Sequence, residues 1–403
     1  MSFRVAHIHD YDRFIAIDLG SYRVRASLYS LKEWKLCLDG TSSIRQNRKN
    51  FHMGAISDMQ WVALTLERAI HEASKNSDII PDDVILGFSP EICIHDTVTT
   101  QYIRSDMDAP LSMQEIDTMI EKIEYDSHVR AKEKAKHQYG LHTDDIRLLS
   151  STLTSISIDD KKVMNPIGFP GKIIRITVLN VFCNSTEFNV MRSIVSSLQK
   201  RIISLVPLPL LLPKSIEDSD YNLWMNAYID VGYNHTTIVF EKEGEIYYFE
   251  TFSFGTKMLL DMLVWVFPES PYMEIESILS SEKIPEDKKE SYELIYREFE
   301  EYIFDVFLSV ISSDRSIGIL SSIFVSGWIF DSPWIGPLFE KNLKKKYDHR
   351  FWFFKLDDIL FQQKKSTKES PINHALWLLA RELLLIKKDP VIRILRYVLY
   401  NYD

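Results

Sequence analysis

A chain of 403 residues exceeds one ordinary domain, so two lobes are the first expectation. With 45% hydrophobic and 26% charged residues it can bury real cores, which excludes a disordered chain. A net charge of −10 with no dominant basic stripe excludes a general nucleic-acid binder. Three scattered cysteines, Cys37, Cys93 and Cys183, give neither a disulfide framework nor a zinc spacing and fit a reducing cytoplasm. Residues 1–13 are polar and do not read as a signal peptide. No apolar run is long enough to span a bilayer.

In chain order, Phe14-Ile15-Ala16-Ile17-Asp18-Leu19-Gly20-Ser21 runs apolar to an aspartate and turns on a glycine. It returns through alternating Val24, Ala26 and Leu28, which is a β-hairpin with a carboxylate and backbone N–H groups at its tip. A strand at 34–38 and a basic loop at 45–53 follow. Ser57 or Asp58 caps a helix whose Val62, Leu66, Ala69, Ile70 and Ala73 fall at helical spacing. Residues 83–89 read as a buried strand.

From about residue 94 to 180 the pattern is interrupted by an inserted subdomain. Ser112-Met113-Gln114-Glu115 is a capping box ahead of Ile116, Met119, Ile120 and Ile123. The charged stretch 121–137 continues as a solvated helix or loop, and 148–158 is a strand turning at Asp159-Asp160-Lys161-Lys162. Asn165-Pro166-Ile167-Gly168-Phe169-Pro170-Gly171 must be a shaped loop, and 173–183 alternates as a strand. A helix at 186–197 and a proline-stiffened connector at 206–210 lead out.

The second half opens on Ile229-Asp230-Val231-Gly232-Tyr233-Asn234-His235-Thr236, a second Asp-x-Gly hairpin. Next come a strand at 245–250, Gly255 before a helix at 258–266, and a polar loop at 268–289. A helix at 290–311 has apolar Leu294, Phe299, Ile303 and Val306, and a strand at 319–325 ends in Ser326-Gly327-Trp328. An apolar helix is expected at 375–386. The cluster 351–354 reads as a strand or core edge and the lysine run 341–346 as a solvated helix face. The eleven histidines show no metal-ligand spacing. Two hairpins of this kind facing one cleft can bracket a polyphosphate with their amides, while Asp18 and Asp230 hold the water shell of Mg²⁺.

At the C-terminus, Val391, Ile392, Ile394, Leu395, Val398 and Leu399 gather on one side of a helical wheel. Arg393 and Arg396 lie on the other, Lys387 and Lys388 just ahead, and Pro390 suits a helix start. That is the profile of an in-plane membrane helix on an anionic surface, with a docked C-terminal helix as the alternative.

The paired hairpins and the later Ser-Gly turn resemble the actin, heat-shock-70 and sugar-kinase superfamily. Within it, Gly54-Ala55-Ile56-Ser57-Asp58 and Asn165–Gly171 are similar to segments of the bacterial cell-division protein FtsA. The resemblance implies an α/β, two-lobed, actin-like (ribonuclease H-like) fold with an inserted 1C subdomain. Its implied divisions are 1–93 and 182–222 (1A), 94–181 (1C), 223–265 and 313–386 (2A), 266–312 (a reduced 2B) and 387–403 (C-terminal helix). It implies ATP and Mg²⁺ as cofactors, held by Asp18, Gly20, Ser21, Arg23, Asp230, Gly232, Thr236, Gly255, Glu301 and Gly327. Asp18 and Asp230 would reach the metal through water. Where the family has Gly-Gly or Thr, this chain has Tyr233-Asn234, His235, Phe254-Gly255 and Gly327-Trp328. The implied partners are a self-polymer, the C-terminal tail of tubulin-like FtsZ, other division proteins and the anionic inner face of the membrane at the division site. At most a slow ATPase is implied. Alternatives are a PilM-like pilus or secretion adaptor, a nucleotide-free scaffold and a small-molecule kinase.

Overall fold

In a computed structural model the chain is described at residues 12–32, 35–52, 55–88, 93–139, 146–163, 165–215, 225–242, 245–313, 320–346, 352–355 and 375–381. It divides into two compact units, Met1–Leu211 with Ile372–Asp403, and Leu212–Pro371. The expected lobe boundary at 222/223 therefore moves to 211/212. The proposed membrane helix, with Val391, Ile392, Arg393, Ile394, Leu395, Arg396, Val398 and Leu399, lies outside the described residues.

The first unit begins with β1 (Arg13–Leu19), β2 (Arg23–Lys32) and β3 (Lys35–Arg45), an antiparallel meander. A short pair, β4 (Phe51–His52) and β5 (Ala55–Ile56), leads into α1 (Met59–Ala73). Asp58 caps α1 by accepting from the N–H groups of Gln60 and Trp61, and the five apolar positions read from spacing are all buried. β6 (Asp83–Phe88) then pairs parallel with β1. Phe14, Ile15, Ala16 and Ile17 are fully buried because β1 is central and covered on both faces.

The inserted segment forms a separate four-stranded sheet. It comprises β7 (Cys93–Ile103), the long helix α2 (Met113–Tyr139), β8 (Ile146–Ile158), β9 (Lys161–Lys162) and β10 (Ile173–Asn184), in sheet order β7-β10-β8-β9. The capping box forms as read: Glu115 N–H donates to Ser112 Oγ and Ser112 N–H to Glu115 Oε2. The stretch 121–137 is helix throughout. The Asn165–Gly171 loop docks on the segment ahead of α2, with Gly168 N–H on the Leu111 carbonyl and Leu111 N–H on that of Phe169, both 2.9 Å.

Between α2 and this sheet, two apolar clusters flank a buried polar row. One cluster holds Ile116, Ile120, Ile123, Ile174, Ile176 and Val178; the other holds Ile94, Ala131, Ala135, Ile146 and Phe182. Asp96, Asn180 and Ser151 sit side by side on β7, β10 and β8 between them. Ser127 and Arg130 of α2 donate to Asp96 at 2.8 and 3.0 Å. Glu124 of α2 is buried in the same row, and burial pushes its carboxyl up to about 7 against a counteracting Ser151 hydroxyl.

The first unit closes with α3 (Ser185–Ser197), capped by Asn184, and β11 (Arg201–Pro207), which pairs parallel with β6. The expected connector at 206–210 is thus the end of a strand plus a 3-10 turn over Leu208–Leu211. Helical residues 375–381 pack Leu376, Leu379 and Ala380 against Phe14, Tyr29 and Ile85. Their expected place was the second lobe; their apolar face completes the first unit's core instead.

The second unit repeats the sheet. β12 (Met225–Val231), β13 (Thr236–Lys242) and β14 (Glu245–Phe252) form an antiparallel meander, and β15 (Ser322–Ser326) and β16 (Trp352–Lys355) add in parallel beside β12. The order β14-β13-β12-β15-β16 matches β3-β2-β1-β6-β11 strand for strand. Its helices are α4 (Thr256–Val266), α5 (Tyr272–Ser280), α6 (Lys289–Ser313) and α7 (Ile335–Lys346). The expected loop at 268–289 thus contains a helix, held by buried Ile275, Ile278 and Leu279 at i, i+3, i+4 spacing. On α6 Phe299 and Ile303 are buried, but Leu294 is exposed and Val306 only half-buried; Tyr292, Tyr296 and Phe307 take the inner face.

Candidate functional site

Each repeated sheet ends its central strand in the Asp-x-Gly hairpin read from the sequence. In the first unit, Asp18 closes β1 between Arg25 of β2 and Gly87 of β6. Its carboxylate is buried, and Arg25 donates from Nη1 to Oδ2 at 2.6 Å. Burial raises the Asp18 carboxyl above its ordinary value, and the Arg25 charge and hydrogen bond oppose that rise. Gly20 and Ser21 form the turn, and a Cβ on Gly20 would stand 2.7 Å from the Arg23 carbonyl oxygen. Arg23 opens β2, half-buried, with Nη1 3.4 Å from Ser43 Oγ. The arginine beside the aspartate is therefore Arg25, which spacing alone did not single out.

In the second unit, Asp230 is half-buried near the end of β12, between Thr237 of β13 and Ser326 of β15. Gly232 N–H closes the following turn on the His235 carbonyl at 2.9 Å. The expected glycines converge on this turn. A Cβ on Gly255 would lie 2.5 Å from the Gly232 oxygen and 2.6 Å from that of Tyr233. Gly327, at φ +125°, brings its Cα so near Val231 that a Cβ would meet the carbonyl oxygen at 2.3 Å. Only glycine fits either place.

These loops are bonded to one another. Thr256 and Lys257 N–H donate to the Gly232 and Tyr233 carbonyls, each at 2.9 Å, and the Trp328 indole N–H donates to Thr256 Oγ1 at 3.1 Å. Two of the first N–H groups of α4 are thereby occupied. Thr236, expected to meet phosphate, donates its hydroxyl to the Phe254 carbonyl at 2.9 Å. His235 is buried with Nε2 facing no partner among the described residues, and burial lowers its pKa to about 4, so the ring is neutral at pH 7.

Glu301 is exposed on α6, whereas Glu300 is buried. Asn342 of α7 donates to Glu300 Oε2 at 2.6 Å, and Tyr296 donates to Oε1 at 3.3 Å. Burial pushes the Glu300 carboxyl up to about 7, opposed by these hydrogen bonds. Its oxygens tie α6 to α7.

Taken separately, each turn offers groups that suit a phosphate: arginines and a hydroxyl in the first unit, and in the second backbone brought close by glycine beside a neutral imidazole whose Nε2 faces no partner among the described residues. For a divalent ion, Asp18 is already claimed by Arg25, and Asp230 is half-buried and has a contact of its own. Among the described residues no group of three or more His, Cys, Asp or Glu is placed to hold a metal.

No protein-family model matches the chain, and no curated protein matches it. Among solved structures, it is similar to the PilM–PilN type IV pilus biogenesis complex. There the TM-score is 0.62 at 11% identity, over 93% of this chain and 98% of that one. It also matches the ethanolamine utilization protein EutJ of Carboxydothermus hydrogenoformans, with TM-score 0.48 at 9% identity over 90% and 89% of the two chains. A third match is MreB 5 of Spiroplasma citri bound to AMPPNP, with TM-score 0.48 at 9% identity over 94% and 97%. At such identities the likeness is one of fold: the chain has the mixed α/β fold of actin-like ATPases.

Proposed function

We propose that this chain is a nucleotide-binding, actin-like scaffold of the FtsA kind, which polymerises on the inner face of the cell membrane and tethers the FtsZ ring there. The observation that carries the nucleotide part is the strand-for-strand repetition of two sheets, each ending its central strand in Asp-x-Gly, at Asp18 and Asp230. The FtsA part is supported by the Asn165–Gly171 segment, which folds as a shaped loop within the inserted sheet.

In this reading Asp18, Gly20, Ser21 and Arg23 serve the nucleotide from the first unit, and Asp230, Gly232, Gly255 and Gly327 from the second. Mg²⁺·ATP, when bound, supplies a cation and a charged tail whose state the scaffold can sense. Asp230 would hold the cation through water, and His235 would offer a neutral nitrogen. Thr236 and Thr256 fix the backbone around the turn rather than the ligand, because their hydroxyls are bonded to the Phe254 and Gly232 carbonyls. Glu301 holds no pocket position on this account, and Glu300 is a structural carboxylate.

Thermal melting with and without Mg²⁺·ATP tests the nucleotide. A ligand at 100 times its Kd adds about 2.7 kcal/mol, and an unmoved midpoint with saturating ATP defeats the reading in favour of a nucleotide-free scaffold. Pelleting with anionic vesicles, with and without residues 387–403, tests attachment, and equal pelleting defeats it.

The likeness to the PilM–PilN complex, at TM-score 0.62, favours a second reading: a PilM-like adaptor that holds a peptide of an inner-membrane protein. Fluorescence anisotropy separates the two. Saturable binding of an FtsZ C-terminal tail peptide supports the division anchor. Binding only of an inner-membrane protein's cytoplasmic peptide supports the adaptor.

A further inference from the structure

Helix α2 is held to the inserted sheet by two different kinds of force, and they meet at Glu124. The first half is held by apolar burial, with Ile116, Ile120 and Ile123 packed against Ile174, Ile176 and Val178. The capping box and an ion pair of Arg104 Nε with Glu115 Oε1 at 2.8 Å fasten that end as well. The second half presents Ala131 and Ala135 to the smaller cluster, with the His128 ring stacked on Phe182. Small side chains bury little area, so this half depends on a polar latch. Ser127 donates to Asp96 Oδ2 at 2.8 Å, Arg130 Nη2 lies 2.9 Å from the same oxygen, and Lys134 Nζ lies 3.6 Å from Oδ1. Both cations are about two-fifths exposed, so solvent screens the latch.

Glu124 stands where the two halves join, 3% exposed. Neither of its oxygens has a hydrogen-bond partner among the described residues, and neither has either end of the fully buried Asn180 amide. The Ser151 hydroxyl is near enough to temper the charge without reaching hydrogen-bond geometry. Among the described residues no cation answers that charge. The four strands of the sheet contain one acidic residue, Asp96, whose own cations are bonded to it. Their bases turn elsewhere. Arg147 lies over the Phe188 ring of α3, Arg175 pairs with Asp160, Lys161 and Lys162 are exposed on β9, and His95 points to the face opposite Ile94 and Asp96. Along α2 itself, Asp117 and Glu121 add repulsion. An ionised carboxyl in this position has neither counter-charge nor water unless the helix moves.

We infer that the second half of α2, residues 124–139, is a lever that a proton on Glu124 holds against the sheet and that ionisation releases. The pivot is at Ile123, where the helix leaves the larger apolar cluster. The first half stays seated, and with it the contact of Leu111 to the Asn165–Gly171 loop. Release gives water to Glu124 and to the Asn180 amide together. The lever is independent of the Asp-x-Gly turns, so its failure leaves the nucleotide reading untouched.

Hydrogen–deuterium exchange of the full chain, corrected for the intrinsic pH dependence of amide exchange, tests it. The Glu124 carboxyl sits at about 7 with the lever down and returns toward 4.5 with it raised, so linkage increases the open fraction about tenfold between pH 6 and pH 8 and little beyond. Protection in 124–139 is expected to fall by that factor while 113–123 changes by less than about twofold. His128 cannot produce this fall. Burial lowers its pKa, so its contribution to stability grows as pH rises. Glu124→Gln is expected to abolish the fall and keep 124–139 protected at pH 8. The wild-type profile decides by itself should that variant fail to fold. Absence of any fall in the wild-type chain, a fall shared equally by both halves of α2, or a fall that persists in Glu124→Gln overturns the lever.

Discussion

Arg25 stands across the first hairpin from Asp18 and donates to its carboxylate at 2.6 Å, so the aspartate at the tip of the central strand is neutralised from within the fold. Asp18 is buried and Arg25 about a third exposed, which puts the pair between the buried and surface regimes. Arg25→Gln leaves a buried carboxylate without its cation and is expected to cost about 1–3 kcal/mol in urea unfolding at pH 7. The sign with pH follows from the folded carboxyl being raised. Protonation relieves the unpaired charge, so the loss relative to wild type shrinks toward pH 4. Asp18→Asn with Arg25→Gln recovers most of it, and a loss of equal size at pH 4 and pH 8 would contradict the assignment.

Glu124 makes the inserted sheet sensitive to pH. Its folded carboxyl sits at about 7 against an ordinary 4.5, so its contribution to stability is full below about 4.5, declines as pH rises through 7 and is flat above. Glu124→Gln mimics the protonated form, removes that slope and raises the melting midpoint at pH 8. Glu300, also at about 7, produces the same trend in the second unit. The measured quantity is therefore the difference between wild type and Glu124→Gln across pH 4 to 9, and parallel curves would refute it.

Glycine substitutions separate crowding from backbone strain. Gly255→Ala places a methyl 2.5 Å from the Gly232 oxygen, and Gly327→Ala one at 2.3 Å from that of Val231. Each is expected to cost about 3 kcal/mol or more by forcing the turn apart. Gly168→Ala shares a positive φ, here +85°, with Gly327 but not with the extended Gly255, meets nothing within 4 Å, and is expected to cost only about 1–2 kcal/mol. Chemical denaturation of the three variants decides whether the rank order holds.

The cap of α1 gives a local test. Asp58→Ala removes the acceptor for two N–H groups and is expected to cost about 1 kcal/mol, whereas Asp58→Ser costs only tenths. Hydrogen exchange localised to the first turn of α1 reads the change directly.

What could be read in the residues depended on periodicity. The Asp-x-Gly hairpins, α1 and the capping box before α2 were legible because alternation or 3.6-residue spacing runs into a recognisable turn or cap. β11 was not, because a buried parallel strand has no alternation and Val206-Pro207-Leu208-Pro209 reads as a stiff linker. α5 was obscured by its polar, proline-flanked surroundings, although Ile275, Ile278 and Leu279 carried the signal. On α6 a single step along the chain turns a side chain by about 100°, so of the adjacent Glu300 and Glu301 one faces inward and the other solvent, which the pair alone does not decide. The polar row of Asp96, Asn180, Ser151 and Glu124 could not be foreseen, since each residue alone belongs on a surface. Pairing Arg25 with Asp18 needs the hairpin register, which the turn length sets.

The helical stretch 375–381 lies against Phe14, Tyr29 and Ile85, so the hydrophobic interior begun by the earliest strand is completed by residues made some 360 positions later. On the ribosome the middle unit can acquire all its contacts while its neighbour still lacks a wall. Synthesis would therefore finish the two units out of order, and a released chain ending just before Leu376 should display an intact second unit and a loosely packed first one.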